Sequence, residues 1–168
     1  PGIADLVNGN ARIEEFRELD VEDLLGRDPV APDEDLLHAN IRGKVVMVTG
    51  AGGSIGSELC RQIATLAPAS LVLFEQSEYA LYQVERELDT LKLVTGLDLE
   101  VVPVLGSVLD KRQLEAVVRS LKVQTIYHAA AYKHVPLVEY NLVAGIRNNT
   151  LGTRCLAEVA DHCGVETC

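Results

Sequence analysis

Three glycines spaced three apart, Gly50, Gly53 and Gly56, stand between an apolar run, Val45-Val46-Met47-Val48-Thr49, and a segment of helical periodicity. Such a turn needs backbone angles that a Cβ atom penalises, and a pyrophosphate reaches main chain only where no side chain intervenes. After the turn, Ile55, Leu59, Ile63 and Leu66 recur at helical spacing. The spacing predicts a helix whose apolar face covers a sheet, whose N-terminal amides point at phosphate, and whose cap is Ser54. The amides of Gly50, Gly53, Ser54, Ile55 and Gly56 are thus the expected anion cradle, with the third glycine allowing helix and sheet to pack closely. The pattern is GxxGxxG; Ile55 occupies the position where GxGxxG would require its last glycine. No Lys-Ser or Lys-Thr follows, so a P-loop is excluded.

A second apolar strand, Ser70-Leu71-Val72-Leu73-Phe74, ends at Glu75, 19 residues beyond Gly56. That is where an acidic residue grips the adenosine ribose of a dinucleotide. A carboxylate there accepts from the ribose hydroxyls and repels a 2′-phosphate, which favours NAD over NADP. The other reading is a solvated glutamate, with Gln76 and Ser77 leaving room for the phosphate.

After a fourth strand comes His128-Ala129-Ala130-Ala131-Tyr132-Lys133-His134-Val135-Pro136. Small residues at Ala129, Ala130 and Ala131 let a cofactor lie against the backbone. Lys133 and His134 then offer a cation and an imidazole suited to an anionic, phosphorylated substrate; a solvated loop is the alternative. His128 reads as a core histidine at a strand end. Asn149 sits at a polar position on the next helix, either facing substrate or bridging strand ends.

These residues need a frame to hold them. From Ile41 onward, strands near 44–49, 70–75, 99–105 and 123–129 alternate with helices near 54–67, 77–92, 110–121 and 143–163. Alternation of this kind predicts an α/β fold, a Rossmann-like doubly wound parallel sheet of about four strands. Its ligand lies where strand order reverses, beside the first and fourth strands. Asp110 followed by Gln113 signals the start of the third helix. Residues 1–40 read as an inter-domain linker or arm, because Asp28-Pro29-Val30-Ala31-Pro32-Asp33 breaks any helix begun near Val21.

The 168 residues, 48% hydrophobic and 4% aromatic, suffice for one core. A net charge of −10 argues against nucleic acid or an anionic membrane as partner. No apolar run approaches the length of a membrane span, so a soluble fragment is expected. Cys60, Cys155, Cys163 and Cys168 lack CxxC spacing and read as reduced thiols, with no metal site expected. The only methionine is Met47, and Val165-Glu166-Thr167-Cys168 opens what reads as another strand, so an excised piece with an exposed fourth strand is expected.

The glycine turn through Leu59, the segment His128 to Pro136, and Asn149-Thr150-Leu151-Gly152-Thr153 together resemble the extended short-chain dehydrogenase/reductases. More narrowly, they are similar to the membrane-anchored UDP-N-acetylglucosamine 4,6-dehydratases of bacterial capsule and O-antigen biosynthesis. The likeness covers residues 41–168, and the stretch Asp23 to Val30 resembles the connector preceding their dehydratase domain. It implies NAD as cofactor, with Ser107 and Val108 joining the residues named above in holding it. Lys133, His134 and Asn149 would hold a UDP-sugar. The implied reaction takes a hydride from C4 of the sugar, eliminates water across C5 and C6, and returns the hydride to C6. It also implies a homo-oligomer at the cytoplasmic face of the inner membrane. The family's Thr-Asp-Lys segment and its Met- or Tyr-x-x-x-Lys motif are not in this sequence, so the piece itself is expected to be inactive. An epimerase or ketoreductase on the same scaffold, or a non-catalytic dinucleotide sensor, would share every motif present.

Overall fold

Parallel pairing of four short apolar strands organises the protein, and the computed structural model describes it over residues 33–168. The strands are β1 (Val45–Thr49), β2 (Ser70–Glu75), β3 (Glu100–Leu105) and β4 (Thr125–His128), in the order β3-β2-β1-β4. β1 pairs on both sides, Val46 with Leu71 of β2 and with Thr125 of β4. Residues Val46, Met47, Val48 and Thr49 are accordingly wholly buried, which is why this strand reads as an unbroken apolar run. Among the described residues β3 has a partner on one side only, and Pro103, which cannot donate to a ladder, is tolerated there.

Alternate side chains of the strands build two cores. On one face Val46, Val48, Leu71 and Leu73 pack with Cys60, Ile63 and Ala64 of α2 (Ser54–Thr65) and with Leu81, Val84 and Leu88 of α3 (Glu78–Thr95). On the other, Met47, Val72, Phe74 and Ile126 pack with Leu114 and Val118 of α4 (Lys111–Leu121) and with Leu156 and Val159 of α7 (Thr153–Cys163). Helices on both faces make the sheet doubly wound, as expected. Asp110 caps α4 by accepting from the Gln113 amide at 3.0 Å; the Gln113 side chain turns instead to the Leu105 carbonyl at 2.8 Å.

Several expectations are corrected. Residues 34–40, assigned to the arm, form α1 (Glu34–Ile41), because Ile41 seals the first core with 1% of its surface exposed. The Asn40 carbonyl accepts from the Thr125 hydroxyl at 2.7 Å and ties the end of α1 to the start of β4. The rest of the arm lies outside the described residues. α2 buries Gly56, Cys60, Ile63 and Ala64, while Ile55 is 64% exposed; small residues bring the helix close to the sheet and rotate the contact stripe away from Ile55. α3 runs on to Gly96, whose φ of +70° ends it in a left-handed cap. The helix expected over 143–163 is three pieces, α6 (Leu142–Ile146), a π-helical stretch (Arg147–Gly152) and α7, and a short α5 (Val135–Tyr140) precedes it. β4 is partly covered, since the Ile126 amide donates to the Thr167 carbonyl at 2.9 Å.

The second core depends on Leu114, which is fully buried among strand and helix side chains. Leu114→Ala is expected to lower the unfolding free energy by about 2–5 kcal/mol with an unchanged denaturant slope. Urea titration followed by circular dichroism checks this.

Candidate dinucleotide-binding site

The chain leaves β1 toward β2 and reaches β4 on the opposite side of β1, so a crevice opens at the carboxyl ends of β1 and β4. The glycine turn forms its floor. Gly50 has a φ of +67°, and a Cβ there would lie 2.7 Å from both N and Cα of Ala130. At Gly56 an added Cβ would overlap the Gly50 carbonyl oxygen. Both glycines are therefore demanded by the fold itself.

Gly53 is different. Its φ is −74°, and an added Cβ would meet only the Gly50 carbonyl oxygen, at 3.3 Å. Gly53, and not Ser54, is the N-cap of α2, and no side chain caps that helix. The first amide of the helix to find an acceptor is that of Ser57, on the Gly53 carbonyl at 2.8 Å. Among the described residues the amides of Ser54, Ile55 and Gly56 have no acceptor. Three adjacent donors at the positive end of a helix form an anion cradle. Gly53 immediately precedes these three amides in the chain.

Two cavities adjoin this floor. The first, of about 190 Å³, is lined by Gly50, Gly53, Glu75, Gln76, Val108 and Ala129 to Ala131, all expected cofactor positions. Gly52, Phe74, Ala80, Gly106, Tyr132 and Asn148 complete its wall. The second, of about 470 Å³, is lined by Ser54, Lys133 and His134 together with Leu137, Val138 and Asn141. Gly53, Ala131 and Tyr132 border both. The Gln76 side-chain amide donates to the Tyr132 hydroxyl at 3.2 Å. Ser77 caps α3, accepting from the Ala80 amide at 3.4 Å. Ser107 lines neither cavity, though Gly106 and Val108 on either side line the first; its hydroxyl accepts from the Leu109 amide at 3.3 Å and its carbonyl from the Asp110 amide at 2.9 Å, which fixes the turn into α4.

Asn149 is engaged by the loop after β4 and lines neither cavity. Its Oδ1 accepts from the Tyr132 amide at 2.9 Å and its Nδ2 donates to the Tyr132 carbonyl at 2.9 Å. The buried Asn148, which sequence reasoning missed, donates from Nδ2 to the Ala130 carbonyl at 3.3 Å and to Asn149 Oδ1 at 3.0 Å. The two asparagines lie in the π-helical stretch, where both consecutive side chains reach the same loop. Two adjacent poor helix formers amid apolar spacing were the available signal.

His128 bridges β1 and α7. The Thr153 hydroxyl donates to the Asn149 carbonyl at 2.7 Å, so it accepts from Nε2 of His128 at 2.9 Å. Nδ1 is then the acceptor for the Thr49 hydroxyl at 2.6 Å, which assigns the Nε2-protonated tautomer. Burial holds this imidazole below its ordinary value of 6.5. The four cysteines are free thiols, and burial pushes Cys60 up to about 12. Among the described residues no three of His, Cys, Asp and Glu gather to hold a metal, and no helix is long and apolar enough to cross a membrane.

Doubly wound sheet, glycine turn and unpaired helix amides define a Rossmann-like fold of the dinucleotide-binding class. The model of the polysaccharide biosynthesis protein family matches residues 46–168, and the chain belongs to that family. It is 43% identical over 160 residues to the capsular polysaccharide biosynthesis protein CapD of Staphylococcus aureus, spanning 95% of this chain and 26% of that protein. With a UDP-N-acetylglucosamine 4,6-dehydratase (inverting) of Campylobacter jejuni it shares 26% identity over 75% of its length and 35% of the relative's. The solved dTDP-glucose 4,6-dehydratase DesIV of Streptomyces venezuelae, which holds NAD and TYD, superposes with a TM-score of 0.61 at 26% identity, covering 73% of this chain and 37% of that one. UDP-glucose 4-epimerases share the fold as well. The chain thus spans about a quarter to a third of the length of these relatives.

The depressed His128 sets a pH dependence. The unfolded chain binds a proton near 6.5, while the folded chain resists it, so stability falls as pH drops below about 6.5. His128→Asn is expected to flatten the slope of unfolding free energy against pH between about 7 and 5. Denaturant titrations at a series of pH values compare the two slopes.

Proposed function

We propose that this chain is the dinucleotide-binding portion of a sugar-nucleotide 4,6-dehydratase of polysaccharide biosynthesis, with NAD as its cofactor and a UDP-N-acetylglucosamine-type substrate. The observation that carries the reading is the cradle of unpaired Ser54, Ile55 and Gly56 amides behind Gly53. Gly53 has an ordinary negative φ and lacks the overlaps found at Gly50 and Gly56; an added Cβ would press only on the Gly50 carbonyl oxygen, at 3.3 Å, so a ligand accounts for this glycine better than the fold does. The residues present fit a dinucleotide: amides for the diphosphate, a carboxylate at the end of β2 for the adenosine ribose, and alanines at 129–131 where the cofactor lies along the backbone. That carboxylate is the reason to choose NAD over NADP.

When bound, the nicotinamide would take up and return a hydride. Lys133 and His134, on the second cavity beside Ser54, offer a cation and an imidazole to the substrate diphosphate. Asn148 and Asn149 hold the loop that carries them. Ser107 serves the turn into α4, and no cofactor role is proposed for it. The Thr-Asp-Lys and Met- or Tyr-x-x-x-Lys motifs that the resemblance assigns to the elimination are not among these residues, and no acid or base for it is proposed. Their protein is proposed to act as a homo-oligomer at the cytoplasmic face of the inner membrane. An epimerase on the same scaffold is the second reading, favoured by the UDP-glucose 4-epimerases that share this fold.

Gly53→Ala is expected to leave the melting temperature within a few degrees of the parent while weakening NAD binding about tenfold or more. Calorimetric titration of both proteins checks it, and equal affinities would remove the reading. A longer protein carrying this chain is expected to convert UDP-N-acetylglucosamine to a product lighter by one water, read by mass spectrometry. A product of unchanged mass with altered chromatographic retention identifies the epimerase.

A further inference from the structure

Glu75 was assigned to the ribose hydroxyls, yet most of its hydrogen-bonding capacity faces the protein. With 8% of its surface exposed, it accepts at Oε1 from the Gln76 and Ser77 amides, each at 2.9 Å, and at Oε2 from the Gly52 amide at 3.0 Å. A carboxylate oxygen offers about two lone-pair directions. Oε1 is therefore filled, and Oε2 keeps room for one further donor.

The bond to Gly52 falls at a particular point of the turn. The Gly50 amide donates to the Phe74 carbonyl at 2.8 Å, and the Ala51 amide approaches the same oxygen at 3.5 Å. Gly52 is the third successive amide held by the end of β2, and the next free amides are those of the cradle. Gly52 is also backed by α3, since a Cβ there would lie 2.5 Å from the Ala80 Cβ. Its peptide is fixed between the Glu75 carboxylate and Ala80, and it cannot move without carrying Gly53 and Ser54 with it.

We propose that Glu75 is a positioning residue for the diphosphate: its carboxylate holds the glycine turn in the shape that receives the anion, independently of any contact with ribose. The proposal rests on the dinucleotide reading above and adds to it that the two ends of the cofactor are coupled through one side chain. Replacing Glu75 to change coenzyme preference then weakens binding of both coenzymes, because the phosphate site loosens along with the ribose site.

The test separates the two roles on the ligand side. Calorimetry compares NAD with an analogue whose adenosine ribose lacks both hydroxyls, for the parent protein, Glu75→Asp and Glu75→Gln. The first variant keeps the charge and withdraws the carboxylate by one methylene; the second keeps the reach and turns one acceptor into a donor. Each is expected to bind the analogue about tenfold more weakly than the parent does. In the ligand-free variants the Gly52 amide is expected to exchange its hydrogen faster while the β1 amides stay protected, which also reports that the variant is folded. Analogue affinities within twofold of the parent for both variants would overturn the proposal and return Glu75 to the ribose alone. A parent that binds neither NAD nor the analogue would remove the dinucleotide reading itself. Should one variant fail to fold, the other decides.

Discussion

Main chain lying directly against main chain, with no side chain between, is the constraint on which the carboxyl end of this sheet depends. The Gly50 carbonyl sits under Gly56, and the Gly50 backbone sits against that of Ala130. Those contacts bring α2 down onto β1 close to the turn and hold the turn against the loop that follows β4. They set where the first helical amides emerge, how wide the crevice is, and which part of the β4 loop forms its far wall. The exposed Ile55 has the same origin, because Gly56, Cys60 and Ala64 occupy the helix face where larger residues would hold the helix away.

Hydrogen bonding then divides the turn into a held half and an open half. The end of β2 takes the amides from Gly50 to Gly52, and nothing among the described residues takes those from Ser54 to Gly56. Across the crevice the polar groups close on themselves. Thr49, His128, Thr153 and Asn149 form a chain from β1 to α7, and Asn149 passes it on to the backbone of Tyr132. A histidine satisfied at both nitrogens and an asparagine satisfied at both ends of its amide make a rigid support beneath an exposed loop. Under the proposed reading, the chemistry offered to a ligand lies among groups left over: the three amides, a lone pair of Glu75, and the side chains of Lys133 and His134.

Order and type of the strands were readable from the sequence because each is a short run of β-branched and aliphatic residues bounded by turn signals. The glycine turn was readable because steric exclusion of Cβ leaves so few residue choices. Positions decided by tertiary contacts were not. Residues 34–40 read as an arm because they follow the helix-breaking stretch Asp28 to Asp33, and only the burial of Ile41 shows why they fold against the sheet. Ile55 fits helical spacing yet faces outward, since periodicity cannot tell which of two overlapping stripes meets the core. Asn149 was open to two readings, a ligand contact or a bridge between strand ends, and the sequence could not choose between them. Its partners are backbone groups 17 residues away that no spacing reveals. Asn148 escaped notice for the same reason, and the π-helical stretch that aims both residues one way has no pattern of its own.

The position of Tyr132 has an optical consequence. The protein contains no tryptophan and five tyrosines, so its ultraviolet emission comes from phenol rings alone. One of those rings stands on the partition shared by the two cavities, with its hydroxyl engaged by Gln76. Under the dinucleotide reading, a reduced nicotinamide, which absorbs where a phenol emits, would come within energy-transfer range of that fluorophore. Occupancy of the crevice is thus written into the molecule's native emission, without a label.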